Sequence, residues 1–228
     1  VKGDVEVIVS TYLDNTFIPE ELKKEIEYEA IADPESWEVY GKGNYGKKKG
    51  IIFNNWDIVD KIPEDAKRIG IGMDFGFTND PTATTDVYMT DGELWVDELI
   101  YQSGLTNPMI VERLVSFAIG RTEVIADSAE PKSIAEIKSM GINIEGANKG
   151  PDSINASIDI LKRFKIHVTS KSINLISELK RYKWRTNKNG ESMNEPVDFK
   201  NHAIDSLRYL ALNKLSHYKK YNGEYTIL

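Results

Sequence analysis

The sequence has 228 residues, 40% of them apolar, a formal net charge of -7 and no cysteine. This is enough apolar material for one well-buried core or one domain with an appendage, and the missing thiols exclude disulfides, thiolate zinc sites and cysteine nucleophiles. No apolar run approaches the roughly 18 to 20 residues that span a bilayer, and the N-terminus lacks the basic-then-apolar layout of a signal peptide, so no membrane partner is expected.

The chain opens on Val1 and runs at once into VEVIVSTYLDN, as expected of a piece of something longer. PEELKKEIEYEA reads as a charged helix begun by Pro19, and DPESWEVYG as a short one with Asp33 as N-cap, Pro34 at the first helical position and Gly41 as its stop. GKKKGIIFNNWDIVDKIPEDA follows as loop and extended chain, and residues 1–62 are expected to form an arm. Residues 63–228 are expected to form the domain proper, with regular signals from Arg68 onward. A strand runs from Arg68 to Phe75, then one over TATTDVYMT, the Asp91-Gly92 hairpin signal, and one over ELWVDELIY. Helices near 107–118, 131–140, 153–164 and 173–182 then alternate with the strands EVIAD, INIEG and KIHVT, and a last helix starts near 202. An antiparallel meander followed by such alternation predicts an α/β mixed sheet with added parallel strands and helices on both faces.

Three acids stand out on this framework. In RIGIGMDFG, Ile69, Ile71 and Met73 alternate with Gly70 and Gly72, as in a strand whose other face is closed over by a second element, and Asp74 ends it. Asp127 ends the strand of TEVIADSAEP, where open α/β sheets gather ligands. Asp205 lies early on the helix of DFKNHAIDSLRYLALNKL, with Asn201 as N-cap and His202 on the same side. Each alone has an ordinary structural explanation, in a loop cap, a helix dipole or a satisfied histidine. Converging at one sheet edge, however, the three carboxylates repel one another unless cations neutralise them. Magnesium or manganese suits oxygen ligands, and two ions roughly 3.5–4 Å apart can drive phosphoryl displacement.

IGMDFGFTNDPTA, VIADSAEP and NEPVDFKNHAIDSLRY, in this order and spacing, resemble the nuclease domain of the large terminase subunit of tailed bacteriophages, which has an RNase H-like fold. STYLDNTFIPEEL and YGKGNYGKKKGIIFNNW resemble the segment joining that family's ATPase domain to its nuclease. The resemblance implies metal-dependent cleavage of concatemeric double-stranded DNA with two magnesium or manganese ions held by Asp74, Asp127 and Asp205. His202 matches a histidine at the metal site of some members, and Glu130, Asp198 and Asp80 are lesser candidates. It also implies the host cell cytoplasm as location, and as partners the portal, the small terminase subunit and an ATPase domain of the same polypeptide. YKWRTNKNGESMNEP resembles a hairpin beside the catalytic groove, and its Lys183, Arg185 and Lys188 are the expected DNA contacts, with Lys47, Lys48 and Lys49 secondary.

Other readings are weaker. GIGMDFGFTND also resembles the first phosphate hairpin of actin-like and Hsp70-like ATPases, but no second glycine-rich hairpin or adenosine motif follows. DFG stands without a kinase catalytic loop, and in GKGNYGKK a lysine occupies the place where a P-loop needs Ser or Thr. An inactive RNase H-like scaffold of the packaging machine has no need of all three acids.

Overall fold

The computed structural model describes residues 11–32, 37, 42, 50–187, 191–221 and 224–227. Most of the helix read at 33–41 and of GKGNYGKK, together with Lys47, Lys48, Lys49 and Lys188, lies outside them. Residues 1–51 and 52–228 form two compact units. In the first, a turn of 3-10 helix, Tyr12–Asp14, is closed by a capping box: the Thr11 hydroxyl accepts from Leu13 N–H, and the Asp14 carboxylate accepts from Thr11 N–H. The charged helix α1 follows over Glu20–Ala32.

The second unit is built on seven strands: β1 (Trp56–Val59), β2 (Lys67–Asp74), β3 (Thr82–Thr90), β4 (Glu93–Gln102), β5 (Val124–Ala126), β6 (Ile144–Gly146) and β7 (Ile166–Thr169). Their order is β1-β7-β4-β3-β2-β5-β6. β3 pairs antiparallel with β2 and β4 while the other pairings are parallel, so within this sheet only β3 runs against the rest. The Asp91-Gly92 turn joins β3 to β4 with both residues at positive φ, 50° and 72°, as a two-residue hairpin loop requires. Helices α2 (Asn107–Ser116), α3 (Pro131–Ser139), α4 (Ser153–Lys162), α5 (Ile173–Arg181) and α6 (His202–Leu210) connect and cover the strands, and α6 continues into a π turn, Ala211–Leu215.

Two apolar clusters fix the layers. Ile71 and Met73 of β2 pack with Ile110, Leu114 and Ile137 of α2 and α3. On the opposite face, Val87, Leu94, Val96, Ile166 and Val168 pack with α4, α5 and α6. β2 therefore separates its residues by parity, with Gly70, Gly72 and Asp74 facing α6. Gly72 shows why: a Cβ built there would stand 1.9 Å from the Ser206 carbonyl oxygen.

The stretch read as loop and arm before residue 62 differs in one respect. Ile52 and Phe53 are buried, Phe53 stacks on Tyr182 at 5.9 Å, and β1 pairs in parallel with β7. The edge strand is short and its sequence does not alternate, so partner backbone and not side-chain pattern specifies it.

Candidate active site

Asp74 is the last residue of β2, and its neighbour Met73 stands opposite Ala126 of β5. Asp127 therefore comes one residue beyond the ladder, beside Asp74, with its N–H donating to the Met73 carbonyl at 3.1 Å. Asp205 and His202 arrive from the first turn of α6, which the two glycines admit close to the sheet. The charges of Asp127 on Asp74 and of Asp74 on Asp205 oppose ionisation of the neighbour, so the three acids share one locality.

Each acid already has a basic partner. His202 Nδ1 is 3.0 Å from Asp74 Oδ2, and its Nε2 is 3.4 Å from Asp80 Oδ1. The histidine thus orients Asp74, where shared helix face alone suggested a relation to Asp205. Lys149 and the Ala129 N–H donate to Asp127 Oδ1, at 2.5 and 2.8 Å, and the Tyr209 hydroxyl donates to Oδ2 at 3.0 Å. Arg208 and Asn201 both donate to Asp205 Oδ1. Asp74 Oδ1 and Asp205 Oδ2 accept no hydrogen bond from the described residues. Lys149, Arg208 and Tyr209 were not singled out in the sequence. For Lys149 a signal exists, since it follows the carboxyl end of β6, next to β5.

Burial dominates the electrostatics. It raises Asp74 despite His202, and it raises Asp205 to about 6 against the pull of Arg208. Burial also works against Asp127 and against protonated His202. At Asp127, Lys149 and the other donors outweigh it and the pKa is lowered, while at His202 the bond to Asp74 outweighs it and the pKa is raised.

Among the described residues, no three His, Cys, Asp or Glu side chains form a closed metal cage. The donor set nonetheless fits a hard divalent cation at Asp74 and Asp205, whose open carboxylate oxygens lie in a buried site that disfavours uncompensated negative charge. Asp127 is the less available of the three, since both of its oxygens already accept hydrogen bonds.

Asn201 occupies the N-cap position of α6 but spends its amide on Asp205. The buried Glu178 of α5 takes over the capping, accepting the Ile204 N–H at 2.9 Å and the Tyr101 hydroxyl at 2.9 Å. Burial pushes this carboxyl up to about 8, although the α6 N–H groups pull it down. Between the ordinary 4.5 and about 8, the folded chain keeps a proton that the unfolded chain has shed, so stability should fall as pH rises through that window. The slope approaches about 1.4 kcal/mol per pH unit for one proton. Glu178→Gln, which keeps an acceptor for Ile204, should flatten urea-denaturation stabilities measured from pH 5 to 8; an unchanged slope would remove Glu178 as their source.

A cleft of about 610 Å³ opens beside Asp205, lined among others by Lys149, Ser153, Arg185, Asp198 and Tyr209. Its outer wall is a hairpin, β8 (Trp184–Thr186) and β9 (Ser192–Pro196), across which Arg185 pairs with Glu195 at 3.1 Å. Of the expected DNA contacts, Arg185 lines the cleft and Lys183 lies half-buried at the hairpin base. Of the lesser candidates, Asp198 shares this cleft and Asp80 touches His202, while Glu130 lines a different one with Phe75 and Glu136.

The sequence matches the model of the terminase RNase H-like domain family over residues 74–213, more than half of its length. The chain belongs to that family. It is 28% identical over 219 residues to the PBSX phage terminase large subunit of Bacillus subtilis (strain 168), covering 92% of this chain and 51% of that protein. It is 30% identical over 213 residues to the terminase large subunit of Bacillus phage SPP1, covering 88% and 50%. The terminase chain thus spans about half the length of these relatives. Among solved structures, the large terminase nuclease domain of bacteriophage SPP1 with bound Mn is similar at a TM-score of 0.61 and 29% identity, over 69% of this chain and 96% of that one.

Proposed function

We propose that this terminase domain is a divalent-metal-dependent endodeoxyribonuclease that cuts concatemeric double-stranded DNA during phage genome packaging. The observation that carries the reading is the convergence of Asp74, Asp127 and Asp205 at the carboxyl edge of β2 and β5, in a fold shared with a manganese-bound nuclease domain. Asp74 and Asp205 would hold one magnesium or manganese ion and Asp127 would contribute to a second, while His202 fixes the Asp74 carboxylate, with ligation by its own ring as the other expected role. Bound there, the ions supply neutralisation of the scissile phosphate and acidification of the attacking water. The chain's own groups do the positioning. Arg185 at the mouth of the cleft, with Lys183 and Lys188, grips the phosphodiester backbone, which orients a duplex without reading its sequence.

Residues 1–51 serve in this reading as the segment leading from an ATPase domain of the same polypeptide, in keeping with the half-length match to the relatives. The portal and the small terminase subunit are the further partners, in the host cytoplasm. No helix among the described residues is long and apolar enough to cross a membrane.

The test is incubation of the chain with supercoiled plasmid and manganese. Nicking or linearisation that EDTA abolishes and Asp74→Ala lacks is the expected result, and intact plasmid under all conditions contradicts the reading. For recognition, replacing Lys183, Arg185 and Lys188 together by alanine should weaken duplex binding on every sequence. Each lost phosphate contact should reduce the slope of log K against log salt by roughly 0.9. Identical slopes for both proteins would place the DNA path elsewhere.

A further inference from the structure

Lys149 is a held side chain and not a loose surface lysine. Its segment is pinned by the Ala147 N–H donating to the Ala126 carbonyl at 2.7 Å and by the Asn148 N–H donating to Asn213 Oδ1 at 2.8 Å. Asn213, in the π turn after α6, also donates to the Tyr209 carbonyl, so one amide ties the Lys149 loop to the helix that carries Asp205. The ammonium then sits on Asp127 Oδ1, 4.3 Å from the centre of the Tyr209 ring, while the Tyr209 hydroxyl takes Oδ2. Both oxygens of Asp127 thereby accept hydrogen bonds, one of them from a positive charge, whereas Asp74 and Asp205 each keep an oxygen that accepts none from the described residues.

We propose that Lys149 is the resident cation of Asp127 and competes with the divalent ion for it, so that the two ions load unequally, the second only as Lys149 withdraws into the cleft. This inference rests on the nuclease reading above. A lysine is suited to the task, being a compact charge on a flexible stem that can leave one carboxylate and meet a phosphate within the same cleft. The ion pair compensates the Asp127 charge until a metal ion replaces it, and ties occupancy of the second position to arrival of a new anion for the displaced ammonium.

Manganese calorimetry on wild type, Lys149→Ala, Lys149→Met and Lys149→Arg, each first shown to be folded by melting, tests this without any turnover. The wild type and the arginine variant should show one stronger and one weaker binding step. In the alanine and methionine variants the weaker step should strengthen by roughly tenfold, as expected when a partly buried ion pair no longer has to be broken. Asp74→Ala should lose the stronger step. Equal or weaker manganese binding in the two neutral variants overturns the role of Lys149 while leaving the nuclease reading intact. Absence of manganese binding in the wild type and all Lys149 variants overturns both.

Discussion

Gly72→Ala is expected to destabilise the protein by about 3 kcal/mol or more, lowering Tm by on the order of 10 °C. The new methyl group would meet the carbonyl oxygen and carbon of Ser206 at 1.9 and 2.5 Å, and neither backbone atom can rotate away. Relief requires α6 to lift off β2, which also breaks the 2.9 Å bond between the Ser206 and Thr85 hydroxyls. The same movement carries His202 and Asp205 away from Asp74, so any metal-dependent activity should fall by about a hundredfold in protein that still folds, since roughly 1 Å of misplacement has that effect. Thermal melting and plasmid cleavage on the same preparation check both parts. A variant with wild-type stability would show that helix and strand are not locked together at this glycine.

The three acids should differ in stability while agreeing in activity. Asp205→Ala leaves Arg208, only 6% exposed, without the carboxylate that it grips through two nitrogens, and breaking such a pair costs about 3 kcal/mol. Asp74→Ala removes a carboxylate that burial already disfavours, so its melting temperature in EDTA should stay near that of wild type. Cleavage should be lost in both, as in Asp127→Ala. Mutual repulsion of the three carboxylates by itself predicts no loss of stability on removing any of them; at Asp205 the structure reverses that expectation, because the Arg208 cation is built in. Equal melting of the two variants, with activity absent, would mean that Arg208 finds another partner on its own.

Legibility in the sequence followed periodicity and chain order. The alternation of glycine with Ile69, Ile71 and Met73 announced both the strand and the close approach of another element, and the structure supplies α6 as that element. Asp74 and Asp127 were visible because strand ends in an α/β sheet lie on one edge, which the Met73–Ala126 register makes concrete. The basic half of the site was not visible. Lys149 reaches Asp127 across 22 residues, and Arg208 reads as a routine helix-surface arginine until its burial against Ser157 is seen. Glu178 was hidden for a related reason, since it caps α6 from a different helix, whereas the expected cap, Asn201, turns to Asp205. β1 carried no alternation to read, and its place depends on the exposed edge that β7 offers.

The proposed function requires that Asp74, Asp127 and Asp205 form one divalent-metal site at the junction of β2, β5 and α6. Anomalous scattering from manganese-soaked crystals tests it most directly. The prediction is a peak against Asp74 Oδ1 and Asp205 Oδ2, with a weaker second peak toward Asp127 where Lys149 has moved aside. Manganese bound elsewhere, with the Asp74–His202, Asp127–Lys149 and Asp205–Arg208 pairs undisturbed, would contradict the claim.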